Sequence, residues 1–150
     1  MGAGCSRRGG ALLEVMIALM VFACMMITFA SSIIIAKSSS KMNGQYAQAI
    51  SLCQHKVDQL RAVGFGRLNY TELNDAGIVD DTPTQSPYSF VVSDDVSSYL
   101  YSATATLTLS TVAGTNNDVI LATVTISWKA SPHRQQNSVV TVQAQITNVD

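Results

Sequence analysis

The side chains able to do chemistry in this chain are few and scattered. There are two histidines and three cysteines. Cys53-Gln54-His55 places two potential metal ligands two residues apart. On a helix that spacing points them to different sides, and no third ligand joins them, as a zinc site requires. His55 therefore reads as a solvated helix residue and His133 as a turn residue. Asp80-Asp81 and Asp94-Asp95 are acid pairs beside turns. A calcium loop needs oxygen ligands at fixed positions; neither pair has that spacing, so both read as solvated turns. No glycine-rich phosphate loop and no nucleophile elbow occurs. Met16, Met20, Cys24, Met25 and Met26 form a soft-ligand patch by composition, but thioethers fill gaps in packed helices, and packing is the expected role. Cys5, Cys24 and Cys53 leave no pair for the C-terminal part, so no disulfide framework is expected. The chain reads as a structural part with no cofactor, not as an enzyme.

One carboxylate stands apart. Glu14 is the only charged residue between Ala11 and Ala36, a run of about 26 residues or ~39 Å as a helix. A bilayer core needs about 20 apolar residues, so the segment can span a membrane. A carboxylate at the centre of such a span costs about 2.5–3.5 kcal/mol, and less near an end. Two readings fit Glu14. It can sit in the first helical turn, where the helix dipole favours an acid, or it can await a cationic partner that arrives on assembly.

The elements that would position these groups follow from periodicity. After the span, apolar residues recur at Tyr46, Ile50, Cys53, Val57 and Leu60, a one-sided stripe on a helix. Gln48, Gln54, Lys56, Asp58 and Arg61 fall largely off that stripe. Gly64 is a natural stop. The spacing predicts one helix from about Leu12 to Val63, greasy all round in its first half and amphipathic in its second. From Phe65 to Pro87 turn residues dominate, with one short helix expected around Thr71 to Ala76. Asn69-Tyr70-Thr71 matches a glycosylation sequon by chance. Four strands are expected after that: Tyr88 to Ser93, Tyr99 to Ser110, one with Ile120, Ala122, Val124, Ile126 and Trp128 inward, and one with Val140, Val142, Ala144 and Ile146 inward. Polar turns at 113–118 and 131–137 suit an antiparallel meander. One apolar face on the sheet calls for a cover, and the amphipathic helix half supplies it. The fold class is α+β: a long N-terminal helix on a small antiparallel sheet of about four strands.

The N-terminal string Arg7-Arg8-Gly9-Gly10-Ala11-Leu12-Leu13-Glu14-Val15-Met16-Ile17-Ala18-Leu19-Met20-Val21-Phe22 resembles the signature of type IV pilins and type II secretion pseudopilins. That signature is a short basic leader ending in glycine, then an apolar segment with Glu at the fifth position of the mature chain. Counting back from Glu14 puts the cut between Gly9 and Gly10; a cut after Gly10 would make Glu14 the fourth residue. The usual first residue is Phe, and Gly10 departs from it. The resemblance implies a leader at 1–9, a transmembrane or filament-core helix half at 10–36, an amphipathic half at 37–64 and a globular sheet domain at 65–150. It implies a prepilin peptidase that cuts after Gly9 and methylates Gly10, an inner membrane assembly platform, and other pilin or pseudopilin subunits as partners. Arg7 and Arg8 would stay on the cytoplasmic side, with the C-terminal domain periplasmic or extracellular. Glu14 would pair with the amine of a neighbouring subunit's Gly10. Low cysteine, a short connecting region and no mid-helix proline resemble a minor pilin or minor pseudopilin.

Formal charge fits a protein partner better than a nucleic acid. The whole chain carries nine Lys and Arg against ten Asp and Glu, a net charge of −1. Taking Arg7 and Arg8 from the nine leaves seven against ten, or −3. Nucleic-acid binding normally needs a basic face. The competing class is a single-pass, membrane-anchored extracytoplasmic binding domain that is never processed.

Overall fold

A helix without a break opens the chain: α1 (Arg7–Val63) runs for 57 residues. The structure is a computed structural model and describes residues 7–112, 119–132 and 135–148, with side chains from Gly10 onward. It divides into two compact units, Met1–Lys41 and Met42–Asp150. The helix begins five residues before the expected Leu12, because Arg7 to Ala11 contain no proline and their glycines cost only about 1 kcal/mol each. It stops where expected. Gly64 has φ +85° and ψ 160°, a region only glycine visits readily, and its N–H reaches Leu60 O at 3.3 Å.

In the second unit, α1 buries Ala49, Cys53, Lys56, Val57 and Leu60, with Tyr46 and Val63 partly covered. Two sequence expectations are corrected here. Ile50 is 42% exposed, and the small Ala49 takes its place against the core. Lys56, placed off the stripe, is fully buried. The helical repeat explains both: 49, 53, 56 and 60 follow one another at four, three and four residues, so Lys56 lies between Cys53 and Leu60 on the same face.

After α1 come a 3-10 turn at Phe65–Arg67 and α2 (Tyr70–Asp75). The short helix was expected at this place. Asn69 Oδ1 caps it, accepting from Glu72 N at 3.0 Å, which gives the sequon residue a structural use. The sheet then forms from β1 (Tyr88–Ser89), β2 (Thr104–Thr111), β3 (Val119–Lys129) and β4 (Asn137–Thr147), in the order β1-β2-β3-β4 and antiparallel throughout. Its inward rows cross the strands in register: Ala105, Ile126 and Val140; Leu107, Val124 and Val142; Leu109, Ala122 and Ala144. These rows, Trp128, Phe90, Leu73 and Leu100 form one core with the buried face of α1.

The first two strands are shorter than expected. Tyr88 to Ser93 contributes only two paired residues; beyond them the carboxylate of Asp80 takes the N–H groups of Val92 and Ser93 and turns the chain off the sheet. Tyr99 to Ser110 starts as a strand only at Thr104. Before it lies α3 (Val96–Tyr99), and Asp95 and Ser102 take left-handed φ values of 48° and 50°. Tyr99 and Tyr101 stay in alternating step with Ala103 and Ala105 in sequence, yet both are exposed. The expected turn at 113–118 and His133 lie outside the described residues.

Candidate assembly surface

The first unit presents an exposed apolar helix. Every side chain from Gly10 to Lys41 is exposed, including Leu12, Met20, Phe29 and Ile34 at 68–74%. The helix is long and apolar enough to cross a membrane. A continuous apolar surface of this size marks a membrane or protein contact. Three hydroxyls inside it are satisfied by their own helix. Thr28 Oγ1 donates to Met25 O at 2.8 Å, and Ser31 and Ser32 donate to Thr28 O at 2.8 and 3.0 Å. Such bonds are what a spanning helix needs where no water can serve its polar groups.

Glu14 lies within this surface and is exposed. It is the eighth residue of α1, and the first turn of the helix has no acid. The first-turn reading therefore fails: the dipole's influence fades within one turn. Among the described residues Glu14 has no ion pair. Arg7, Arg8, Gly9 and Gly10 all fall inside α1, the first three without described side chains. The methionine and cysteine patch is exposed along the same helix.

The second unit holds a polar cluster that the sequence reading missed. Lys56 Nζ donates to Asp94 Oδ1 at 2.9 Å and to Ile78 O at 2.7 Å, and sits 4.9 Å from the centre of the Phe90 ring. The side chains of Lys56 and Asp94 are 0% and 8% exposed. Burial pushes the Lys56 ammonium below its usual range, while the bond to Asp94 and the charges of Asp94 and Asp80 pull it back in part. Asp80 accepts from Ser89 Oγ at 2.5 Å, from Ser93 Oγ and N at 2.7 Å, and from Val92 N at 3.1 Å. Burial alone would raise the Asp80 carboxyl; the hydrogen bonds from Ser89, Ser93 and Val92 outweigh it and hold it below its usual value. Asp80 and Asp94 are thus not the solvated turn residues expected. Asp94 and Ile78 O tie this segment to Lys56 of α1, and Asp80 closes the turn within it by holding Ser89, Val92 and Ser93.

His55 is exposed, as expected, and its Nε2 lies 3.0 Å from Gln59 Nε2. Ser51, Ser93, Asp94 and Asp95 share with His55 the rim of a groove of about 630 Å³. No serine among the described residues is hydrogen-bonded to that imidazole, so the nucleophile–base contact of a triad is not formed. Cys53 is buried, and burial pushes its thiol up to about 11, away from nucleophilic use. No group of three or more His, Cys, Asp or Glu able to hold a metal exists among the described residues. Comparison with family models, with curated proteins and with solved structures gives no match.

Proposed function

We propose that the protein is a structural subunit of a type IV pilus or type II secretion-like filament, in a minor pilin or pseudopilin role. A prepilin peptidase cuts it between Gly9 and Gly10 and methylates the Gly10 amine. The subunit waits in the inner membrane through its apolar helix, with Arg7 and Arg8 cytoplasmic before the cut, and enters the filament by packing that helix among those of other subunits. The single observation that carries this reading is the one carboxylate, Glu14, two turns inside an uncovered apolar helix. A permanent membrane tether gains nothing from a charge there. A helix that moves from lipid into a bundle of subunit helices gains a defined register, once a neighbouring subunit's Gly10 amine meets Glu14.

The test is the mature N-terminus, measured by mass spectrometry on protein from cells with and without prepilin peptidase. A peptidase-dependent start at Gly10, carrying a methyl group, is the expected result. A start at Met1 in both strains would remove the filament reading and leave a tethered extracytoplasmic domain.

A further inference from the structure

Along α1, Gln48, Ser51, His55 and Gln59 follow one another at three, four and four residues, so they share one face of the helix. The turn from Ser93 to Tyr99 lies across from that face, and the groove of about 630 Å³ runs between them. A cavity of this volume suits a small molecule. Its supply of hydrogen bonds is one-sided. Asp94 Oδ2 and Gln59 Oε1 are buried acceptors that no donor meets among the described residues. Asp94 is held by its other oxygen to Lys56 Nζ at 2.9 Å, with its side chain only 8% exposed, and Gln59 gives an amide N–H to His55 Nε2 at 3.0 Å. Buried acceptors are normally paired, and here two stand unpaired on one groove, from parts of the chain far apart in sequence. Charge is one-sided as well. Asp94 and Asp95 line the groove, and no lysine or arginine lines it. Lys56 pairs with Asp94 from a fully buried position, so Asp95 leaves the groove with an excess of negative charge.

We propose that this groove binds a small organic cation through a guanidinium group, which donates to Asp94 Oδ2 and Gln59 Oε1, pairs with Asp95 and lies against the ring of Tyr99. A guanidinium carries five N–H donors and no acceptor, so it supplies what a groove with surplus acceptors and surplus negative charge lacks. Tyr99 is 56% exposed, and the face of such a ring attracts a planar cation. A metal ion does not fit. No group of three or more His, Cys, Asp or Glu able to hold one exists among the described residues, so His55, Asp94 and Asp95 do not make a ligand set. The two oxygens are buried, so entry moves a lining side chain. Gln59 is half-buried and held by His55, and it turns away from the imidazole to present Oε1. All of these residues belong to the unit Met42–Asp150, and the proposal does not rest on the membrane or filament reading.

The test titrates the isotope-labelled full chain, in nonionic micelles, with N-acetyl-arginine amide and with the matching lysine and citrulline compounds, followed by NMR shifts. The arginine compound should saturate in the millimolar range, as expected of so small a ligand. It should move the backbone of 48–59 and 93–99 and the side-chain amide of Gln59. The lysine compound, a point charge without the planar fork, should bind about tenfold more weakly, and uncharged citrulline weaker still. Gln59→Met, which removes Oε1, should weaken arginine binding about tenfold. Asp95→Asn keeps an oxygen for Ser98 Oγ and should weaken it about three- to fivefold. If Gln59→Met does not fold, Asp95→Asn and the three ligands on the unchanged chain decide. Absence of saturable shifts, shifts away from the groove, equal binding of arginine and lysine, or unchanged binding by Asp95→Asn overturns the proposal. So does binding of arginine only within a peptide, which would assign the groove to a partner chain. A chain that no peptidase cuts would refute the filament reading and leave this measurement untouched.

Discussion

Breaking the Lys56–Asp94 pair should destabilise the second unit far more than a surface ion pair would. The two charges lie 2.9 Å apart with side chains 0% and 8% exposed. At an effective dielectric of about 20 their attraction is roughly 6 kcal/mol. Removing each ion from water costs several kcal/mol, so the intact pair contributes little net stability. Removing one partner is different, because the other charge stays buried without compensation, at about 3–5 kcal/mol. Asp94→Ala should fall in that range, since the Lys56 ammonium it leaves behind is fully enclosed and keeps only Ile78 O, the Phe90 face and the more distant charge of Asp80. Lys56→Met should cost somewhat less, because Asp94 lines an open groove and can recruit water, although Ile78 O then loses its side-chain donor.

The double variant Lys56→Met/Asp94→Ala removes both charges and should cost only about 1–3 kcal/mol, from the carbonyl left unpaired. The cycle should therefore show a coupling of about 2 kcal/mol or more. Urea unfolding of the full chain in nonionic micelles measures it, read by the single tryptophan. Trp128 is fully buried, its ring centre is 4.9 Å from that of Tyr46, and its Nε1 donates to Gln45 Oε1 at 3.4 Å, so its emission follows the seating of α1 on the sheet. Single variants within about 1 kcal/mol of the parent, or a double variant equal to their sum within about 0.5 kcal/mol, would refute the reasoning.

Four further outcomes are expected. Asp80 is held below its usual value of 3.8 in the folded chain, so the unfolded state binds the proton first. Its contribution is present above pH 3.8 and lost as pH falls through the lower folded value, and Asp80→Asn should flatten that part of an acid-unfolding curve. Gly64→Ala meets no atom within 4 Å of its new Cβ, so its whole cost is the backbone at φ +85°, about 1–3 kcal/mol by urea titration. With its thiol near 11 and no exposed surface, Cys53 should resist iodoacetamide at pH 8 until the chain is unfolded; rapid labelling of Cys53 itself in the folded chain, separated by peptide mapping from the exposed Cys24, would contradict its burial. Glu14→Leu should insert into membranes as well as the parent but enter filaments poorly, compared by fractionation of membranes and sheared filaments, and equal incorporation would remove the proposed pairing.

What the sequence disclosed and what it hid have one physical basis. Strands β3 and β4 were legible because apolar residues recur at every second position from Ile120 to Trp128 and from Val140 to Ile146, with Leu121 the one apolar residue in the intervening rows, and period two has one structural meaning over that length. The reach of α1 to Gly64 was legible for the same reason. The beginning of β2 was not, because alternation at Tyr99 and Tyr101 is a property of spacing alone. What ended the strand was backbone geometry at Asp95 and Ser102, and neither is a residue type reserved for positive φ. Lys56 was hidden more deeply. Its position between Cys53 and Leu60 was readable from helical periodicity, and the only argument against burial was its charge. That argument assumes an ion without a partner. The partner, Asp94, lies 38 residues along the chain, beyond any local pattern. A charge found on an apolar stripe is thus better taken as a sign that some distant opposite charge is folded against it. By the same logic Glu14, exposed on an apolar surface with no ion pair among the described residues, is the position at which a cationic partner is to be sought.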